Sequence, residues 1–254
     1  MAADLSGLRI VLTRPAGQVD ALMSRIQAAG GEVLALPLLA IAPPSNPVHA
    51  DVLHAQLAHA DAVTFISPNA VRMALAALPA PDWPPVSLLV AIGQGTARVL
   101  HEAGFSHVLA PREGADSEAV LSLPELQQLA GQRILLVRGE GGRELLASVL
   151  SERGARVEHA IVYRRVALPP DMAALRAHGA LVFVLTSSEA LRVLLGAARD
   201  NDAAAWLRAQ NFVFAHPRIA AQAKTCGLNR GIMAASPDDA AVFAALLRCA
   251  GACE

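Results

Sequence analysis

The sequence predicts an α/β protein built of two doubly wound, mostly parallel, flavodoxin-like sheets that arose by tandem duplication. Three observations predict it. First, residues 8–39, LRIVLTRPAGQVDALMSRIQAAGGEVLALPLL, lie without gaps over residues 132–163, QRILLVRGEGGRELLASVLSERGARVEHAIVY. Arg9/Arg133, Ile10/Ile134, Leu12/Leu136, Arg14/Arg138, Gly17/Gly141, Leu22/Leu146, Ser24/Ser148, Gly30/Gly154 and Val33/Val157 coincide. Self-similarity at a long fixed spacing marks a repeated structural unit. Second, each copy sets a short apolar run before an amphipathic stretch, the alternation of a βαβ unit. Third, the 254 residues are 54% hydrophobic but only 4% aromatic, which suits parallel sheets covered by helices better than a β-sandwich.

In chain order, Leu8–Thr13 is an apolar run that reads as a buried parallel strand. Pro15 suits a first helical turn, and Val19, Leu22, Met23 and Ile26 recur at helical spacing until Gly30-Gly31 ends the helix. Glu32–Ile41 returns as a strand and runs into Pro43, Pro44 and Pro47, which read as a linker. A helical stretch leads to strand Ala62–Ile66 and then to SPNAVRMAL, in which Ser67 caps the helix that Pro68 opens. A proline-rich segment, 79–85, precedes strand Leu88–Ile92. GQGTARVLHEAGF follows, with Thr96 in the first turn of a helix stopped by Gly104. His107–Ala110 is a short strand, and another helix begins near Asp116-Ser117.

The second copy starts at Gln132, and Pro169-Pro170 marks a second linker. Val182–Leu185 then leads into TSSEALRVLL, which matches ISPNAVRMAL at Ser67/Ser187, Ala70/Ala190, Arg72/Arg192 and Leu75/Leu195. Phe212–Ala215 leads into HPRIAAQAKTCGL, which matches GQGTARVLHEAGF at Ala97/Ala220 and Gly104/Gly227. Two consecutive domains, or two domains that exchange strands, both satisfy this order. The prolines just after each first segment favour exchange. The expected outer domain is 1–37 plus 170–254, the central domain is 46–160, and 38–45 and 161–169 are the linker strands.

A net charge of -1 gives no polybasic footprint for nucleic acid or anionic lipid. MAADLSGLRI lacks the basic and apolar regions of a signal peptide, and no run of about 18 apolar residues predicts a membrane span. Cys226, Cys249 and Cys253 do not make a disulfide framework. The expectation is a soluble cytoplasmic protein.

In open α/β sheets, ligands sit at the carboxyl ends of strands, where helix N-termini offer free N–H groups and a positive dipole end. The tips to watch are Thr13-Arg14, Ser67-Pro68-Asn69, Gly93–Thr96, Arg138–Gly142, Thr186–Ser188 and His216–Arg218. They are small, hydroxylated, glycine-containing or basic, as sites for carboxylates or phosphates are. None offers a carboxylate pair, a nucleophile with its base, or a metal set. Each has a plainer reading beside it. Ser67, Thr96, Thr186 and Ser187 are equally well helix caps. GQGTAR and GEGGRE lack the third glycine of a dinucleotide fingerprint. His49, His54 and His59, five apart, do not share one helical face. Cys249 and Cys253 have no histidine partner nearby, and Tyr163, the sole tyrosine, ordinarily packs at such a strand end.

At VLTRPAGQ, AAGGEVLALPLLAI, VTFISPNAV, VAIGQGTARVLHEAGF, ILLVRGEGGRELLASVLSERGARVEHAIVYRRV and VFVLTSSEAL, in that order, the chain resembles the uroporphyrinogen-III synthase family over nearly its whole length. The resemblance implies two α/β domains joined by a two-stranded linker, with a ligand cleft between them. It implies a lyase that cyclises hydroxymethylbilane to uroporphyrinogen III through a spiro-pyrrolenine, inverting ring D and losing water. It further implies no metal or organic cofactor, a monomer, and hand-over of substrate from hydroxymethylbilane synthase. Tyr163, in VYRRV, becomes the candidate donor to the leaving hydroxyl, although a phenol is a weak acid at neutral pH. Arg14, Ser67, Asn69, Gly93, Thr96, Arg138, Gly139, Thr186, Ser187 and Arg218 become the candidate substrate-binding residues.

One turn departs from the family pattern. Where relatives often carry a Gly-Pro-Thr-Thr-like turn, this chain has His216-Pro217-Arg218-Ile219. That implies either a remodelled half-site in which Arg218 serves carboxylates, or a weakened activity. The competing reading, from another class, is a two-domain small-anion binding protein without catalysis.

Overall fold

A computed structural model describes residues 4–15, 17, 19–142 and 144–251; Cys253 lies outside them. Eleven strands occur among the described residues. They are β1 (Arg9–Leu12), β2 (Glu32–Ala35), β3 (Leu39–Ala42), β4 (Ala62–Phe65), β5 (Leu88–Ala91), β6 (Val108–Leu109), β7 (Arg133–Gly139), β8 (Arg156–Ala167), β9 (Val182–Leu185), β10 (Asn211–Phe214) and β11 (Gly231–Met233). Contacts divide the chain into two compact units. Unit 1 is the chain up to Ala40 together with that from Val166 onward, and unit 2 is Ile41–Arg165.

Unit 1 carries a five-stranded sheet in the order β11-β10-β9-β1-β2, parallel at every pairing. Its strands are apolar because both faces are covered. Val11, Phe183, Leu185, Phe212 and Phe214 pack on one face, and Ile10, Leu12, Val182, Val184 and Val213 on the other. On the second face the helix Asp20–Ala28 buries Leu22 and Ile26, and the helix Asp239–Gly251 buries Val242, Phe243 and Leu246. Removing each such side chain from water contributes about 1.5–3 kcal/mol.

The six-stranded sheet is ordered β3-β8-β7-β4-β5-β6, and its pairs from β8 through β6 are parallel. Val63, Phe65, Leu135 and Val137 fill one face; Ala62, Val90, Ile134 and Leu136 fill the other. Written from the same edge, the two sheets read β2-β1-β9-β10-β11 and β8-β7-β4-β5-β6. This is the flavodoxin order, strand for strand in the pairs that the repeat implies. The chain enters the second arrangement two strands later than the first.

Two elements differ from expectation. The strand expected over Glu32–Ile41 is two strands in different sheets, β2 and β3. Leu36 N–H still donates to Leu12 O at 2.9 Å, but Leu38 N–H then meets Thr13 O at 3.3 Å, out of step with the regular ladder, and the strand leaves β1 there. β11 gave no readable signal, being Gly-Ile-Met. A Cβ on Gly231 would lie 2.2 Å from the Phe214 ring, so the glycine seats that ring and leaves only two side chains to carry a pattern. Among the described residues, no helix is long and apolar enough to cross a membrane.

Candidate active site

The carboxyl ends of the strands carry the functional candidates in both units. The strand order reverses between β7 and β4 in unit 2, and between β1 and β9 in unit 1, the places where doubly wound sheets open a crevice.

In unit 2, β8 runs parallel to β7 in regular register to Arg138↔Ile161 and then slips, so that Gly139 faces Tyr163. Strict alternation would put Tyr163 on the face of His159 and Ile161. The irregularity turns it over, and it packs instead with Ala160 and Val162. The side chain is 3% exposed. Its ring crosses Gly139, where a Cβ would stand 2.6 Å from the ring Cζ. Past Gly139 the phenol oxygen reaches Ser67 Oγ at 3.1 Å, a hydrogen bond in which either hydroxyl can donate. Ser67 Oγ also accepts from Ala70 N–H at 3.0 Å and caps the helix Pro68–Ala77. One row across β8, β7 and β4 therefore holds a phenol, a bare α-carbon and a capping hydroxyl.

Arg138 is committed elsewhere. It is 4% exposed, donates from Nη2 to Gly141 O at 2.6 Å and pairs through Nη1 with Glu144 at 2.9 Å. It thus ties down the turn that follows β7. Its Nε has no hydrogen-bond partner, nor does His159 Nδ1. Burial holds the His159 imidazole below its ordinary value; the Arg138 charge adds to this and Glu144 opposes it.

In unit 1 the matching tip is built differently. Thr13 Oγ1 donates to Val184 O at 2.6 Å, tying β1 to β9 at the reversal point. Arg14 pairs with Asp239 and donates to Pro237 O at 2.9 Å, so this guanidinium too is engaged within its own unit. Ser187 Oγ caps the helix Ser188–Asp200 by accepting from Ala190 N–H at 3.0 Å, as Ser67 does in its copy, and Thr186 is half-buried beside it. Pro15 and Leu39 align with Gly139 and Tyr163, so only one copy offers a phenol. His216 caps the helix Pro217–Thr225, its Nδ1 accepting from Arg218 N–H at 3.1 Å. The Arg218 side chain is exposed, whereas Ile219 is 2% exposed in the core. The isoleucine at 219 is a packing residue.

The remaining candidates are placed as follows. Gly93 precedes the helix Gln94–Glu102 in extended backbone, and a Cβ there would meet Ala115 Cβ at 2.7 Å. Its missing side chain admits the loop before Asp116. Thr96 is buried in that helix, and Asn69 is half-buried in the first turn after Ser67. The plainer reading of Ser67 and Ser187 as caps holds; for Ser67 the tyrosine contact comes in addition. Among the described residues, no group of three or more His, Cys, Asp or Glu could hold a metal ion. Sequence reasoning missed Glu140, whose carboxylate accepts from Ser45 N–H in the proline-rich segment and lies 3.3 Å from Ser45 Oγ. That bond holds its pKa below the usual carboxylate value. It was legible only as an acid inside the glycine run.

Comparison with known proteins adds the following. A family model described as uroporphyrinogen-III synthase HemD matches residues 20–244. Uroporphyrinogen-III synthase of Salmonella typhimurium is 36% identical over 246 residues, covering 94% of this chain and 100% of its own. That of Escherichia coli is 34% identical with the same coverage. Among solved structures, a mutant uroporphyrinogen III synthase from Thermus thermophilus superposes with a TM-score of 0.64 at 21% identity, over 97% of this chain and 100% of its own. Uroporphyrinogen-III synthetase from Helicobacter pylori does so with a TM-score of 0.64 at 17% identity, over 95% and 99%.

Proposed function

The chain belongs to the uroporphyrinogen-III synthase family, and we infer from that membership that it cyclises hydroxymethylbilane to uroporphyrinogen III. The observation that carries this is the end-to-end match to curated relatives, 36% identical over the full length of the relative. The reaction is that of a hydro-lyase. The hydroxyl of the hydroxymethyl group is protonated and leaves as water, the methylene left behind as a cationic azafulvene is attacked by the substituted carbon of ring D, and the spiro-pyrrolenine reopens and closes with that ring inverted. The pyrroles supply the electron push. The protein has to protonate the departing hydroxyl and hold a flexible, carboxylate-rich chain in a closing geometry.

Tyr163 is our candidate proton donor. Two features support it: the phenol is held at a fixed point at the carboxyl end of the sheet, and its copy in the repeat is a leucine. For the carboxylates we assign the N-terminal turns after Ser67, Gly93, Ser187 and His216, with main-chain N–H groups as donors. Asn69, Thr96 and Thr186 belong to the same tips, and Gly139 ends β7. Arg218 is exposed beside one such turn, while Arg14 and Arg138 act through the loops they hold. The proposal includes a monomer supplied by hydroxymethylbilane synthase, both parts resting on the family resemblance, and work in the cytoplasm.

The test is a coupled assay in which fresh hydroxymethylbilane is supplied and the uroporphyrin isomers are separated. Spontaneous closure gives isomer I, so enrichment of isomer III is the expected result. Isomer I alone would overturn the assignment.

A further inference from the structure

We propose that Gly139 is a positioning residue for Tyr163, acting through the side chain it lacks. The inference rests on the reading of Tyr163 as proton donor and concerns what puts the phenol where it can act. Glycine is usually retained for a left-handed backbone or for close approach. Gly141 and Gly142 are of the first kind, with φ of 67° and 103°. Gly139 is not among the positive-φ glycines, so alanine meets no backbone strain there. The obstacle is the ring. A Cβ at 139 would lie 2.6, 2.7 and 3.0 Å from Tyr163 Cζ, Cε2 and Cε1, well inside the ordinary carbon contact of about 3.5–4.0 Å.

The direction of that clash matters. The nearest atom is Cζ, the carbon that bears the hydroxyl. Restoring normal contact moves it by about 1 Å and carries the oxygen with it, off the position from which it now meets Ser67 Oγ. The backbone on the far side is fixed: the Gly139↔Tyr163 pairing and the bond from Glu140 N–H to Tyr163 O at 2.8 Å hold β8 against β7. The turn that follows is tied by Arg138. The ring cannot escape by sliding its own strand. It must swing, and a displacement of about 1 Å at a catalytic group costs about a hundredfold in rate.

The repeat offers a control. Where the other copy has Leu39, it has Pro15 in place of the glycine, so the glycine goes with the ring. The experiment compares Gly139→Ala, Tyr163→Leu and the double variant, with Tyr163→Phe as the reference for lost chemistry. Gly139→Ala should lower Tm in the parent and have little effect in the Tyr163→Leu background. Its kcat should fall at least as far as that of Tyr163→Phe, with KM little changed. Because the chain has one tyrosine, ring-labelled tyrosine gives a single set of NMR signals, and Gly139→Ala should move them. Equal loss of Tm in both backgrounds, or unmoved ring signals in an impaired Gly139→Ala, would overturn the proposal. If Gly139→Ala does not fold, recovery of folded protein in the double variant supports it, and failure of the double variant refutes it. A fully active Tyr163→Phe would retire the donor reading. The Tm coupling and the ring signals would still decide whether Gly139 sets the ring.

Discussion

The hydroxyl of Tyr163 lies 3.1 Å from that of Ser67, although the two residues are 96 apart in the chain and β7 lies between β8, which holds the tyrosine, and β4, which the serine follows. This contact couples the cap of one helix to β8 at the point where its pairing with β7 ends. Tyr163→Phe keeps the ring and loses the proton. Because a phenol is a weak acid at neutral pH, its share of general acid catalysis falls at the low end of the usual range. We expect kcat to drop about a hundredfold without vanishing, measured by the isomer-resolved assay. An unimpaired variant would remove Tyr163 from the chemistry.

Ser67→Ala deletes both the cap and the tyrosine's partner. Ser187→Ala deletes only a cap. Both should lower stability by about 1 kcal/mol, read by denaturant unfolding. Ser67→Ala alone should also move the tyrosine ring signals; equal silence from both variants would contradict the contact.

Arg138 and Glu144 form an unequal pair, 5% and 64% exposed in their side chains. Glu144→Gln removes a solvated charge and should cost less than about 1 kcal/mol. Arg138→Met strips the turn of a charged hydrogen bond and should cost about 2 kcal/mol. The reverse ranking would mean that the turn is held by something else.

His159 makes stability pH-dependent in a defined window. Its folded imidazole is held below 6.5 by burial and by Arg138. The unfolded chain therefore takes up the proton first as pH falls, binds more protons than the folded chain across that window, and gains stability from it. The folded state loses stability from about 6.5 downward and shows no such dependence above it. His159→Phe should flatten that part of the unfolding curve between pH 5 and 7; an unchanged slope would exclude His159 as its source.

The departure at His216–Ile219 separates into two residues with different jobs. Ile219→Thr would bury a hydroxyl among Leu, Phe and Ala side chains and should cost about 1–3 kcal/mol unless it finds a partner. Arg218→Ala is at the surface and should leave Tm unchanged while raising KM. If KM stays constant, Arg218 does not serve the substrate's carboxylates.

Much of this was open to sequence reading. The repeat and the apolar runs implied the doubly wound class and the places of most strands because buried parallel strands leave continuous hydrophobic stretches, and Ser67, Ser187, Asp116 and the prolines punctuate helices by their own chemistry. What stayed hidden depends on register and on distant partners. Nothing in VYRRV shows that the ladder slips at Arg138/Gly139 and turns Tyr163 to the other face. The two aligned arginines looked free at their tips. Yet the partner of Arg14 is 225 residues away, and that of Arg138 sits in a glycine run whose course cannot be read without coordinates.

The offset entry of the chain into its two sheets has a consequence for synthesis. Unit 2 is continuous from Ile41 to Arg165 and can assemble as soon as it has emerged. Unit 1 cannot, since β1 sits between β2 and β9, and Thr13 finds Val184 only across 171 residues. The N-terminal strand must wait on the ribosome, half-paired, until the last third of the chain arrives. The folded insert helps, because bonds such as Leu168 N–H to Leu38 O at 2.9 Å and Arg164 Nε to Pro43 O at 3.1 Å hold its two ends together and shorten the loop to be closed. A nascent chain arrested when residue 165 has just cleared the ribosome should thus resist protease within unit 2 and be cut in its first 40 residues; protection of both would mean that the leading segment finds a temporary partner.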